Sequence, residues 1–250
     1  MTSPVRRVVS LVPSLTETVA ATAPDLLVGA TDWCTHPAGL DVVRVRGTKN
    51  PDVEKIVELR PDVVLGNTEE NRAADVEALR AAGVRVWMTE IRTVDEALVS
   101  LRRMLTEACG VAAPAWLDEA ERTWAAAASS ERRTAVIPIW RRPWMVVGRD
   151  TFTGDVLSRL GVDNLYSGSP ERYPKVPIDE LNGARPDLVV LPDEPYRFTA
   201  EDGPESFPGI DAALVDGRYL TWYGPSMVEA PAVLAGQLTA TIRTERPRRT

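Results

Sequence analysis

Short β-branched runs alternate with amphipathic segments along most of this chain, and that alternation constrains the fold more than any single motif does. A brief apolar run reads as a buried strand and a 3.6-residue apolar stripe as a covering helix; in alternation they build βα units around a parallel sheet. RRVVSLVPS predicts a strand and a turn. SLTETVAATAPDLL predicts the helix after it, with Ser14 as N-cap and Glu17 at capping-box spacing. LVGATDW, DVVLGN and VRVWMTE predict further strands, with helices at NPDVEKIVELR and RAADVEALRAAG.

From Thr93 to Ser130 the pattern changes to almost continuous helix formers, broken near Gly110 and restarted with Pro114 in the first turn. The restarted segment predicts a helix of roughly 25 Å. Beyond it the alternation resumes. TAVIPIW and WMVVGRD predict strands that pair as a hairpin, TFTGDVLSRLG and DELNGA helices, DLVVLPD and GRYLTWY strands, and PSMVEAPAVLAGQLTATIR the closing helix. VELRPDVVLGNTEENR in the first half is echoed by LNGARPDLVVLPDEPYR in the second, with Arg60-Pro61-Asp62 and Arg185-Pro186-Asp187 half a chain length apart. An echo at that spacing predicts two similar lobes.

At 250 residues, 44% hydrophobic and 26% charged, the chain is long enough to bury a sizeable core. A net charge of −7 argues against nucleic acid or an anionic membrane as partner. The basic run near the C-terminus, from Arg243 to Arg249, reads as a solvated end. Two distant cysteines, Cys34 and Cys109, form neither a disulfide framework nor a CxxC motif. No apolar run has the length of a signal peptide or a membrane span, so the chain is expected in the cytoplasm from this start, or outside it if the start lies further upstream.

GxGxxG, Walker A, HExxH and GxSxG motifs are all missing. One histidine and two cysteines would all be consumed by an ordinary zinc site. The segments that follow the predicted strands are instead aromatic and polar: Ser14, Trp33, His36 and Asn67 in the first half, then Trp140, Trp144, Arg149, Phe152, Glu194, Tyr196, Trp222 and Tyr223 in the second. Aromatics beside Pro, Gly and Arg at loop positions are the composition of a ligand-binding cleft with apolar walls and a few placed polar groups. Arg149, with Arg141 or Arg142, would meet peripheral carboxylates or amides. The same aromatics would also serve as packing between two lobes.

TDWCTHP, at the end of a predicted strand, holds the only histidine and one of the cysteines. It reads in three ways: a structural turn before Pro37, a rim touching ligand through Trp33 and His36, or a metal-ligating pair of Cys34 and His36. In the last case the pair supplies only two donors, so a metal already held by a ligand of its own, needing one further nitrogen from His36, is the version that fits.

VVSLVPSLTETVAA, VGATDWCTHP, GTKNPDVEKIVELRPDVVLGNTEEN, the helical mid-chain and LTWYGP together resemble the helical-backbone (class III) periplasmic ligand receptors of ABC importers, most strongly the cobalamin-binding branch. The resemblance implies an α/β fold of two similar lobes with central, mostly parallel sheets, one long linking helix and a ligand cleft between the lobes. On this chain the expected boundaries are 1–108, 109–132 for the helix and 133–250. It implies a corrinoid as cargo, no required cofactor and no catalysis, with ferric-siderophore or haem binding as an alternative; a rival reading of another class is a cytoplasmic corrinoid or metal handling protein or enzyme using Cys34 and His36. The resemblance also implies a monomer that docks on an ABC permease through Glu69 or Glu70.

Overall fold

Strand β1 (Val8–Ser10) is wholly buried, and the chain builds outward from it in both directions. The computed structural model of the protein describes residues 4–127, 130–243 and 245. Ala128 and Ser129 of the expected linking segment, the outermost residues of both expected lobes, and the basic run beyond Arg243 apart from Glu245 lie outside the described residues. The described chain divides into two compact units. The first takes the chain up to Ile91, Asp95–Glu119 and Tyr223–Pro225; the second takes Arg92–Val94, Ala120–Trp222 and the chain from Ser226.

In the first unit β1 is followed by α1 (Pro13–Thr22), β2 (Leu27–Ala30), β3 (Val43–Arg44), a small antiparallel ladder of β4 (Arg46–Gly47) and β5 (Asn50–Pro51), α2 (Val53–Glu58), β6 (Val63–Asn67), α3 (Ala73–Ala81) and β7 (Val86–Thr89). The five-stranded sheet runs β3-β2-β1-β6-β7, parallel throughout. Val9, Leu11, Ile56, Val64 and Leu79 close its core. Each such fully buried aliphatic contributes about 1.5–3 kcal/mol. α4 (Val94–Arg103) runs on into a π-helical turn at Met104–Ala108 and stops at the expected break, where Gly110 takes the left-handed φ of 69° that favours glycine. α5 (Ala115–Ala126) starts just after Pro114 and is 12 residues long, about 18 Å and shorter than its run of helix formers predicts. The boundary between the units falls within it, after Glu119.

The second unit follows with β8 (Arg133–Val136), the hairpin of β9 (Pro138–Arg141) and β10 (Trp144–Val146), α6 (Phe152–Arg159), β11 (Val162–Asn164), α7 (Ile178–Gly183), β12 (Leu188–Pro192), β13 (Asp211–Val215), α8 (Gly217–Thr221), α9 (Ala230–Thr239) and β14 (Thr241–Arg243). Its sheet runs β11-β8-β12-β13-β14, parallel except for the antiparallel edge strand β14.

Three local expectations fail, and one strand goes unpredicted. Pro13 occupies the first turn of α1, so Val12 is the N-cap and Ser14 lies inside the helix with no capping bond. GRYLTWY is no strand: the Asp216 carboxylate accepts from Arg218 N–H at 2.9 Å and starts α8 instead. The strand at that place in the order is the alanine-rich DAALV of β13, weak in β propensity but buried between neighbours. TATIR leaves the closing helix to form β14.

The Arg-Pro-Asp echo has one structural meaning in both units. Arg60 and Arg185 take left-handed φ values of 48° and 50° just after α2 and α7, a conformation that costs a non-glycine residue about 1 kcal/mol. The aspartate that follows turns back onto the first strand of its own sheet. Asp62 Oδ2 accepts from the N–H groups of Arg6 (2.7 Å) and Arg7 (2.9 Å), and Asp187 Oδ2 accepts from Thr134 N–H (2.8 Å) and Thr134 Oγ1–H (2.7 Å). Hydrogen bonds from the Thr134 hydroxyl and backbone hold the Asp187 carboxyl below the usual carboxylate range. A group lowered in this way stabilises the fold above its unfolded pKa of about 3.9, and the contribution is lost as the pH falls through the folded value. Asp62→Ala and Asp187→Ala are each expected to lower stability by about 1 kcal/mol at neutral pH. In urea melts of the Asp187 variant, the gap from the parent protein should close toward strongly acidic pH.

Candidate ligand-binding site

Both sheets have their first strand inside, with the next strands placed on opposite sides of it: β2 and β6 flank β1, and β11 and β12 flank β8. Loops leaving the carboxyl ends of such strands diverge and open a crevice, which is where open α/β sheets hold ligands. Of the residues singled out from the sequence, Ser14, Trp33, His36, Asn67, Glu194 and Tyr196 lie on or beside those loops. Trp140 and Trp144 lie on the β9–β10 hairpin, Arg149 and Phe152 follow it, and Trp222 and Tyr223 follow α8.

In the first unit the loop after β2 is pinned from three directions. Arg44 donates through Nη1 to the carbonyls of Thr31 (2.9 Å) and Cys34 (2.8 Å) and through Nη2 to Leu40 (3.3 Å). Cys34 is fully buried, its Sγ 3.0 Å from Thr16 Oγ1 and 3.1 Å from Thr31 Oγ1. Asp32 N–H reaches the carbonyl of Arg46 on β4 at 2.8 Å. Held this way, Trp33 is 68% exposed. Its indole crosses Gly47, where an added Cβ would lie 3.3 Å from Trp33 Nε1 and collide with Asn50. His36 is half-buried, with Nδ1 3.2 Å from Thr35 Oγ1.

Asn67 and Ser14 have a different setting from Trp33. Asn67 is buried; its Oδ1 accepts from Glu69 N–H (2.9 Å) and its Nδ2 donates to Thr89 Oγ1 (3.1 Å). It shapes the loop after β6, which Asn71 ties to the Thr48 carbonyl (3.0 Å) and Lys49 ties through the Glu69 carbonyl. Ser14 is buried in α1, and an added Cβ on Gly224 would lie 3.1 Å from its carbonyl oxygen. Tyr223 is buried beside that glycine in the chain.

In the second unit two staples join neighbouring loops. Trp222 Nε1–H donates to Glu194 Oε2 (3.0 Å), and Asp193 Oδ1 accepts from Gly217 N–H (2.7 Å). Trp222 is thereby buried and Glu194 stays exposed. Arg149 is exposed beside Asp150 (3.5 Å), and Phe152 is buried in the first turn of α6, which Thr151 caps. Gly148 admits the segment 171–174 against this loop: its N–H donates to the Arg172 carbonyl at 2.7 Å, and an added Cβ would meet the carbonyls of Glu171 and Arg172. Arg172 donates in turn to the Asp150 carbonyl (2.7 Å) and lies over Tyr173. No strand-end rule singles out this pair, because the segment that carries it follows β11 by a long irregular excursion.

The hairpin carries a packed aromatic cluster. Trp144 stacks on Phe198 (6.0 Å, 5°) and meets Phe207 edge-on; Tyr196 meets Trp140 edge-on (5.6 Å, 79°) and donates its hydroxyl to Asp202 (2.6 Å). Arg141 lies over Trp144 and pairs with Asp202 and Glu205, so its charge serves the packing. Burial works to raise the Glu205 carboxyl, but hydrogen bonds from Gly203 N–H and Arg141 prevail and hold it below the usual range. Trp140, at the edge of the cluster, keeps 43% of its surface exposed.

Cys34 and His36 gather no further donors: among the described residues no three His, Cys, Asp or Glu side chains are placed to hold a metal ion. No helix among them is long and apolar enough to cross a membrane.

The sequence profile of the periplasmic binding proteins matches residues 8–204. The chain belongs to that family. A vitamin B12-binding protein of Pectobacterium carotovorum is 23% identical over 247 residues, covering 94% of this periplasmic binding protein and 89% of the relative. Among solved structures, the periplasmic vitamin B12 binding protein of Vibrio cholerae superposes with a TM-score of 0.75 at 18% identity, covering 94% of this chain and 97% of its own. A periplasmic haem-binding protein of Pseudomonas aeruginosa superposes with a TM-score of 0.76 at 23% identity, covering 98% and 100%. At these identities the superpositions establish the two-unit fold.

Burial pushes both thiols up, Cys34 above its ordinary value and Cys109 to about 11. Neither is expected to react with a disulfide reagent at mildly alkaline pH in the native protein, while both react once it is unfolded. Arg44→Ala removes the clamp on the loop and should expose Cys34 first, raising its labelling rate by about tenfold or more. Equal rates for the variant and its parent would contradict the clamp.

Proposed function

We propose that this periplasmic binding protein holds a corrinoid against the exposed indole faces of its strand-end loops and hairpin and releases it unchanged. The observation that carries this reading is the exposure of Trp33 in a loop that Arg44, Thr16 and Arg46 hold in place around it. An indole in water loses its apolar burial, and a loop built to display one suits a broad, flat partner. Trp140 presents a second such face in the other unit, with Arg149 and Glu194 exposed on strand-end loops of the same unit. The vitamin B12-binding relative, which spans nearly the whole chain, supports the choice of macrocycle. His36 follows Trp33 by three residues and is assigned a ligand contact, as an axial nitrogen if it meets the metal.

The same reading places the protein's work outside the cytoplasm, in keeping with its family, and its delivery at an ABC permease. Docking is assigned to the loop after β6, with Glu70 the principal contact because Glu69 buries one carboxylate oxygen. The haem-binding structural neighbour favours haem as the second candidate cargo.

Titration with cyanocobalamin should quench tryptophan fluorescence saturably in the micromolar range. Trp33→Ala and Trp140→Ala should each weaken binding by about tenfold, the equivalent of about 1.4 kcal/mol. His36→Ala should weaken it a few-fold and, if the nitrogen is axial, shift the cobalt absorption bands. Saturable binding of haem without binding of cyanocobalamin would reassign the cargo.

A further inference from the structure

A pocket of about 570 Å³ opens beside the β9–β10 hairpin, wholly within the second unit. Its apolar lining comes from Pro143, Trp144, Val176 and Pro177, and Arg141, Arg142 and Lys175 supply its charge. These three cations are not equivalent. Arg141 is neutralised by Asp202 and Glu205. Arg142 and Lys175 are exposed and have no acidic partner among the described residues.

The backbone holds the pocket in register. The segment 174–176 lies along β10 as a further antiparallel strand: Val146 N–H donates to the Pro174 carbonyl and Val176 N–H to that of Trp144, both at 3.1 Å, with Met145 bridged to Lys175. Side chains alternate along an extended segment, and here Val176 enters the core while Lys175 stays in water. Packing against Phe198 and Phe207 fixes Trp144, the aromatic wall. Two unpaired cations over a rigid apolar floor, in a protein of net charge −7, select an anionic group carried on an apolar body.

We infer that this pocket is an anion-selective subsite, in which Arg142 and Lys175 receive a carboxylate borne on the apolar edge of the bound solute. The inference rests on the assignment of this hairpin to the solute site, and it predicts that the cargo carries negative charge at its periphery. Two probe pairs test it: cyanocobalamin against its derivative with one peripheral carboxamide hydrolysed to the carboxylate, and haem against its dimethyl ester.

In whichever pair binds, the carboxylate member should bind about fivefold tighter or better at low ionic strength. That preference should disappear at high salt and in the Arg142→Gln/Lys175→Gln double variant. Lys55→Gln, which removes an exposed cation from the first unit, should leave it intact. Equal affinity within a binding pair, unaltered by the double variant, overturns the subsite and leaves solute binding standing. A preference that survives the double variant overturns it as well. If haem shows the preference and neither corrinoid binds, the subsite holds and the corrinoid falls. If no probe binds the parent protein, both readings fall.

Discussion

Parallel strands need cover on both faces, and the rest of this structure follows from placing β1 and β8 inside their sheets. Strands that run the same way must be joined by crossovers, so the connections between the parallel strands return over a face of the sheet and those strands end at the same edge. Because the order reverses on either side of the first strand, loops distant in sequence come together at that edge. Arg-Pro-Asp secures the arrangement: Asp62 and Asp187 take up the N–H groups at the start of the inner strand. The echo between the halves is therefore a matter of sheet construction, and both aspartates precede their strands, at the edge opposite the candidate loops.

Strand-end loops are rich in polar groups, and this protein engages most of them internally. Arg44 clamps carbonyls, Asp193 and Glu194 staple neighbouring loops, Asn67 shapes its own turn and Arg141 holds two carboxylates. Such bonds contribute modestly to stability, about 1 kcal/mol each where neutral and more where charged. Their larger effect is to fix the loop that exposes Trp33, which on the proposed reading lowers the ordering cost of ligand binding.

Strands β1, β2, β6, β7, β8 and β12, their order in the chain and the loops at their carboxyl ends could be read from apolar runs and turn residues, because burial writes directly into hydrophobic periodicity, whereas the short edge strands β3, β11 and β14 left no such run. GRYLTWY and DAALV show where that reading stops. Aromatic and β-branched content suggested a strand where one aspartate cap makes a helix, and two alanines hid a strand whose stability comes from its neighbours. At the candidate site, residue type marked loops at the strand ends but did not separate displayed side chains from buried ones. Trp33 and Trp222 look alike in sequence; Gly47 lies beneath the first, and Glu194 draws in the second. Those distinctions depend on tertiary partners distant along the chain.

The two sealed cysteines bear on where such a protein can work. A family named for the periplasm operates among oxidants and disulfide-exchange catalysts, where an accessible thiolate soon finds a partner. Cys34 and Cys109 are withheld twice over, since burial excludes the reagent and disfavours the anion that would react. Cys34 also serves the loop that displays Trp33, as the sulfur between two threonine hydroxyls. A chain built this way can cross into an oxidising compartment with its thiols intact, so long as it folds before they are trapped, and the order of those two events becomes a requirement of its biogenesis.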